Sequence, residues 1–154
     1  MDVQESSFGQ YRFSTIKSQL QIQVIHNFLS NDAYWSKNIP LEVVQKAIEN
    51  SICIGIYDGE SQVGFARIIS DEATFAYLAD VFVLPDYRGK GLSKALMSFI
   101  MSWDWVAQIR RFTLATRDAH GLYAAFGFAP PAKPEINMEI SRPGIYGDEN
   151  NPCR

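Results

Sequence analysis

The sequence predicts a mixed α/β (α+β) architecture, in which helices pack on a sheet holding both antiparallel and parallel strands. Three observations carry this prediction. Apolar side chains recur at helical spacing up to Ile48, whereas three β-rich runs follow in close succession from Ile52 to Leu84. Asp58-Gly59, between the first two of those runs, is a strong hairpin signal. A helix then separates the third run from a fourth, and it is long enough for a crossover between parallel strands.

The elements follow in order. Tyr11–Ile16 is short and β-prone, and reads as a first strand. Ser18-Gln19-Leu20-Gln21 has the form of a capping box, with a hydroxyl at the cap and an amide three residues on. Ile22, Ile25 and Leu29 then recur at helical spacing, predicting a helix over about 19–30 that Asn31-Asp32 ends. Pro40 suits a first helical position, and Leu41, Val44 and Ile48 mark the buried side of a second helix. Ile52–Tyr57 and Gln62–Ile69 form the hairpin strands. Thr74–Leu84 is too apolar on both faces to be an edge strand, and Pro85-Asp86-Tyr87 breaks it. After Arg88-Gly89-Lys90-Gly91 a helix begins, with Leu92, Leu96, Phe99, Ile100, Trp103 and Val106 on its apolar side. Arg111–Thr116 is another strand, and Asp118 is a good cap for a short helix through Phe126 that Gly127 ends. The loop Pro130–Pro134 leads to a last strand near Ile136–Ile140.

Composition bounds the function. With 154 residues the chain has room for one domain, 1–154, carrying a polar tail from about 143. A chain of this size buries about 70% of its unfolded surface and needs no disulfide or metal staple. A net charge of −3 and a pI near 5.3 argue against a nucleic-acid binder, which shows a basic face. Cys53 lies in an apolar run and Cys153 in the polar tail, so the two cysteines make no disulfide framework. The amino terminus lacks a positive patch followed by an apolar stretch, and no apolar run approaches the roughly 20 residues that span a bilayer. A cytoplasmic protein is expected, with no membrane partner.

The strongest local feature runs from Val81 to Ser93. A buried strand ends, a glycine-rich turn Arg88-Gly89-Lys90-Gly91 follows, and a helix opens out of it at Leu92-Ser93. A helix start offers unpaired N–H groups and partial positive charge, which together suit a phosphate. Gly89 and Gly91 let the backbone approach a ligand closely, while Arg88, Lys90 and Lys94 add formal charge. Walker-type spacing is absent, and Lys94 stands where a dinucleotide fingerprint needs its third glycine.

Val-x-Pro-x-x-Arg-Gly-x-Gly-Leu-Ser, with Leu122-Tyr123-Ala124-Ala125-Phe126-Gly127-Phe128 about thirty residues on, resembles the GNAT (GCN5-related N-acetyltransferase) family. The order of elements matches that fold over most of the chain. The resemblance implies a mostly antiparallel central sheet of about 6–7 strands with a parallel crossover and helices on both faces. It also implies acetyl-coenzyme A as co-substrate, a primary amine of a small molecule or protein as acceptor, and no metal. Arg88, Gly91 and Ser93 fall on the fixed positions of the family pattern Gln/Arg-x-x-Gly-x-Gly/Ala, with Ser93 departing from the usual Gly or Ala. By resemblance, backbone groups of Arg88, Gly89, Lys90, Gly91, Leu92 and Ser93 wrap the pyrophosphate. Phe82 and Val83 lie where the main chain pairs with the pantetheine arm, and the Val83 N–H points at the thioester oxygen. Thr116, seven residues before Tyr123, stands where many members carry an Asn contacting the cofactor.

The implied reaction is direct acetyl transfer from a thioester to an amine. Presenting a lysine-like amine neutral at pH 7 costs about 4.6 kcal/mol, which a base or water chain must meet. Oxyanion charge is stabilised by preorganised N–H groups. The family places a tyrosine at Tyr123 beside the sulfur, where it acts as the acid that protonates the leaving thiolate. Asp80, in the apolar strand, is the candidate to accept the amine proton or hold the ammonium; its alternative role is a buried carboxylate satisfied by backbone or Arg67. His120 is an alternative base. Tyr34 and Trp35 fall in the region that commonly lines the acceptor pocket. Asp71, Glu72, Asp80 and Asp118, expected near the mouth, favour a cationic acceptor. Pairing of two copies through the last strands is expected to be open to this fold. Two rival functions stand beside the enzyme: a non-catalytic acyl-coenzyme A sensor of the same fold, and a phosphate-binding interaction domain.

Overall fold

A computed structural model of the chain describes residues 1–147, so Cys153 lies outside the described residues. Its six strands are β1 (Glu5–Phe8), β2 (Tyr11–Ser14), β3 (Ile52–Asp58), β4 (Ser61–Ser70), β5 (Phe75–Val83) and β6 (Arg111–Leu114). Its helices are α1 (Ile22–Asn27), α2 (Leu41–Glu49), α3 (Leu92–Met101) and α4 (His120–Ala124). The strands lie side by side in chain order; each neighbouring pair is antiparallel except β5–β6, which is parallel across the α3 crossover. This is the expected mixed sheet.

Alternation along the strands supplies two cores. Ile54, Ile56, Ile68 and Leu78 face α3 and α4, packing on Leu92, Leu96, Ile100 and Tyr123. Cys53, Phe65 and Phe82 face the other side, against Ile25, Phe28 and Val44 of the α1–α2 layer. Phe28 and Phe82 stack with ring centroids 4.1 Å apart. The β3–β4 hairpin turns at Gly59, whose φ of +60° is readily adopted by glycine.

Several expectations are corrected. The hairpin strand β1, four exposed residues turning at Gly9, precedes the predicted first strand. No capping box forms at Ser18: the chain makes a 3-10 turn over Lys17–Gln19, and α1 starts at Ile22 with no cap from its own side chains. The buried Gln62 of β4 does that work instead, its Oε1 accepting from the Gln21 N–H at 2.7 Å while its Nε2 donates to the Gly64 carbonyl. The first helix ends in a π turn, Phe28–Asp32. Pro40 takes the cap position of α2 rather than its first turn.

Helix α3 stops at Met101, because the Ser102 hydroxyl takes the Phe99 carbonyl and the chain continues in i→i+3 turns. Those turns still bury Trp103 and Val106. Asp118 does not cap α4: Ala119 occupies the cap position, and the Thr116 hydroxyl accepts from the Ala119 N–H at 3.0 Å. The strand near Ile136–Ile140 is absent; Pro134–Ile136 is a 3-10 turn followed by unpaired chain on which Ile136, Met138 and Ile140 are exposed. Among the described residues no helix is long and apolar enough to cross a membrane.

Candidate active site

Strands β5 and β6 pair only from Phe75 to Leu78 and from Arg111 to Leu114. Beyond that point they part, and a cavity of about 740 Å³ opens between Tyr77–Val81 on one wall and Leu114–Ala119 on the other. A bulge helps to part them: Phe65 pairs with Phe82 and Arg67 with Ala79, so Asp80 and Val81 face the single residue Ala66. Asp80 sits there at φ +55°, a left-handed conformation that aspartate tolerates better than most residues.

The bulge aims the Asp80 carboxylate into the cavity wall. Arg67 Nε donates to Oδ2 at 2.8 Å, and Trp35 Nε1 donates to Oδ1 at 2.9 Å. Arg67 Nη1 donates in turn to Ser51 Oγ, which donates to the Ala47 carbonyl of α2. Asp80 is therefore a paired carboxylate with both oxygens engaged, and its partners tie α2, β4 and the loop before α2 together.

That loop roofs the cavity. Trp35 reaches the β5 wall through Asp80, while its neighbour Tyr34 reaches the opposite wall, where the Arg117 guanidinium lies 3.7 Å from the ring centroid. Tyr34 and Trp35 meet edge to face at 5.1 Å. Both line the cavity. Arg117 and the indole–carboxylate bond were not legible beforehand; the only sequence signal was a charged residue directly after the strand.

Tyr123, on α4, is buried at the base of this cleft and also lines a second cavity of about 810 Å³ on the far side of β6. Burial, reinforced by the Asp118 carboxylate and Tyr34, raises its phenol above the ordinary tyrosine value. It stays protonated at neutral pH. His120 lines the second cavity, and Asp80 the first, so these two alternatives for a base do not share a wall. Asp71 and Glu72 line neither cavity. Asp71 accepts from Thr74 and Ala73 in the β4–β5 turn, and Glu72 pairs with the amino terminus at 3.4 Å.

Residues Phe82 to Ser93 run from the end of β5 through the turn into α3 and line neither cavity. The Leu84 N–H donates to the Val63 carbonyl at 2.8 Å, which makes Gly64 and Val83 a non-hydrogen-bonded pair. The N–H and C=O of Val83 consequently face away from β4, towards the side that β6 has left. Arg88 Nε donates to that carbonyl at 2.9 Å. The Phe82 side chain is committed to the core, and in the adjacent pair with Phe65 its N–H and C=O face β4, so Val83 rather than Phe82 presents main-chain groups to the open edge.

After a 3-10 turn at Pro85–Tyr87, Gly89 and Gly91 take φ of +75° and +81°, and Gly91 is the cap of α3. Only Ala95 of the first helical turn has its N–H returned to the Gly91 carbonyl. The N–H groups of Leu92, Ser93 and Lys94 thus face outward beside exposed Lys90 and Lys94, a cradle suited to a phosphate. A Cβ on Gly89 would meet nothing within 4 Å, so its glycine serves backbone conformation and access.

Comparison with known proteins matches this geometry to one family. The acetyltransferase (GNAT) domain matches residues 49–130, more than half of the chain. A Gibberella zeae protein whose name assigns it to the acetyltransferases is 30% identical over 138 residues, covering 75% of this chain and 76% of that one. The crystal structure of a protein from Xanthomonas campestris pv. campestris, described as belonging to the same family, is 54% identical with a TM-score of 0.87, over 90% of this chain and 97% of that one. A structure from Deinococcus radiodurans, 16% identical with a TM-score of 0.69 over 93% of this chain and 96% of that one, shares the fold. The chain belongs to the GNAT acetyltransferase family and is an acyltransferase.

Proposed function

We propose that this protein transfers an acetyl group from acetyl-coenzyme A to a primary amine by direct attack on the thioester. The observation that carries the reading is the parting of β5 from β6. It leaves the Val83 main chain facing an open edge, while the protonated Tyr123 is buried against the cavity that opens between the two strands.

Acetyl-coenzyme A, when bound, supplies an activated acyl group. Backbone N–H groups from Gly89 to Ser93, with Lys90, would hold its pyrophosphate, and the Val83 main chain, at the end of the strand after Phe82, would pair with its pantetheine arm. The outward N–H of Val83 would stabilise negative charge on the thioester oxygen. Tyr123 would donate a proton to the leaving sulfur. Asp80 would hold the incoming ammonium through lone pairs left beside its bonds to Arg67 and Trp35, or take its proton. We place this work in the cytoplasm, a compartment with which the free Cys53 thiol is compatible.

The test is thiol release from acetyl-coenzyme A across a panel of amines. Turnover that depends on the amine and falls in Tyr123→Phe supports the proposal. Binding of the donor without turnover of any amine, small or protein-borne, would make the chain a sensor instead.

A further inference from the structure

Four charged side chains line the cavity between β5 and β6: Arg67, Asp80, Arg117 and Asp118. Arg67 and Asp80 neutralise each other at 2.8 Å. Arg117 is different. Among the described residues no carboxylate lies within ion-pair distance of it, and its flat guanidinium rests on the Tyr34 ring at 3.7 Å. Such stacking uses the face of the group and leaves its edge donors unspent, in the fork geometry that fits a carboxylate or phosphate. Asp118, next in sequence, sets a negative charge near Tyr123 on the same wall.

We infer that the acceptor is a small amine that also carries an anionic group, whose carboxylate or phosphate is read by Arg117 while its amine faces the Tyr123 end of the cavity. A lone cationic amine would leave the edge donors of the exposed Arg117 to solvent and bring a like charge into the same open cavity. A zwitterion answers both signs. The aromatic roof of Tyr34 and Trp35 and a volume of about 740 Å³ leave room for a side chain as well. This inference rests on the acetyl-transfer reading and narrows it to small molecules rather than lysines of a protein.

The test uses the whole protein and matched compounds: an aromatic amino acid, its methyl ester and its decarboxylated amine, with phosphoethanolamine against ethanolamine as a separate arm. Thiol release gives kcat/KM, and thermal shift with the same compounds gives binding without turnover. We expect the carboxylate or the phosphate to improve kcat/KM roughly 10–100-fold, as a charge-assisted bidentate contact would. Arg117→Ala should erase that advantage, and Arg117→Lys should keep part of it. Whichever arm shows the advantage names the anion. Equal turnover of the charged and uncharged members, or an advantage that survives Arg117→Ala, overturns the inference while acetyl transfer stands. Anion-dependent binding that needs Arg117 but comes without turnover of any amine overturns acetyl transfer and leaves the anion site. Neither preferential turnover nor preferential binding overturns the inference outright.

Discussion

Trp35 and Asp80, 45 residues apart in sequence, are joined by a 2.9 Å bond from the indole N–H to the carboxylate. The bond fastens the loop before α2 onto a bulge in the central sheet. It couples the shape of the cavity between β5 and β6 to a residue that also neutralises Arg67.

Asp80→Ala removes the acceptor that Arg67 and Trp35 share. It leaves a largely buried guanidinium without its counter-charge and should cost about 2–4 kcal/mol in urea unfolding. Asp80→Asn keeps a neutral acceptor for Trp35 and tolerates the left-handed backbone, so it should lose less. Steady-state kinetics should show the acceptor KM rising while donor affinity holds. Wild-type stability in both variants would show that the bridge contributes nothing.

Tyr123→Phe deletes one hydroxyl and keeps the ring in its pocket. With saturating substrates kcat should fall roughly 10²-fold, at the low end for proton transfer because a thiolate leaves readily. Unaltered kcat would remove Tyr123 from the chemistry.

Gly91 caps α3 at φ +81°, and a Cβ there would meet the Phe8 ring at 3.5 Å. The contact is ordinary, so the penalty of Gly91→Ala is conformational, about 1–2 kcal/mol. Acetyl-coenzyme A affinity should weaken along with the melting temperature. A variant that binds the donor as wild type does would detach this turn from ligand binding.

Alkali should expose the buried thiol. Burial raises Cys53 from its ordinary value of 9.0 to about 11. Below pH 9 the thiol is protonated both folded and unfolded, so its contribution is complete there. Between pH 9 and about 11 only the unfolded chain releases the proton, and stability falls. Tyr57, raised to about 12 by burial, extends the fall. Cys53→Ala should be less stable at neutral pH yet show a shallower decline from pH 9 to 11. Identical slopes by chemical denaturation would contradict this.

The sequence was informative where chemistry is local. Asp58-Gly59, the glycines at 89 and 91 and the apolar strand before them specify a hairpin, a left-handed turn into α3 and a crossover from their own conformational needs. Strand β1 escaped because its four exposed residues bury nothing and so show no alternation. The alternating Ile136, Met138 and Ile140 misled in the opposite sense: period-two spacing describes a strand's faces but does not supply a hydrogen-bonding neighbour. Ser18 lost its predicted cap to Gln62, and Trp35 found Asp80, through contacts made only after the sheet has formed. Tyr123 was legible through its motif; Arg117, which shares its cavity, was not, since stacking on Tyr34 requires the loop before α2 to cross the cleft.

Calorimetric titration of acetyl-coenzyme A into the wild-type protein and into Gly91→Ala tests the central claim most directly. We expect one donor molecule bound per chain, with affinity reduced about tenfold or more by the methyl group. No heat of binding in the wild type, or equal affinity in the variant, would contradict docking on the β5 edge and the turn that opens α3.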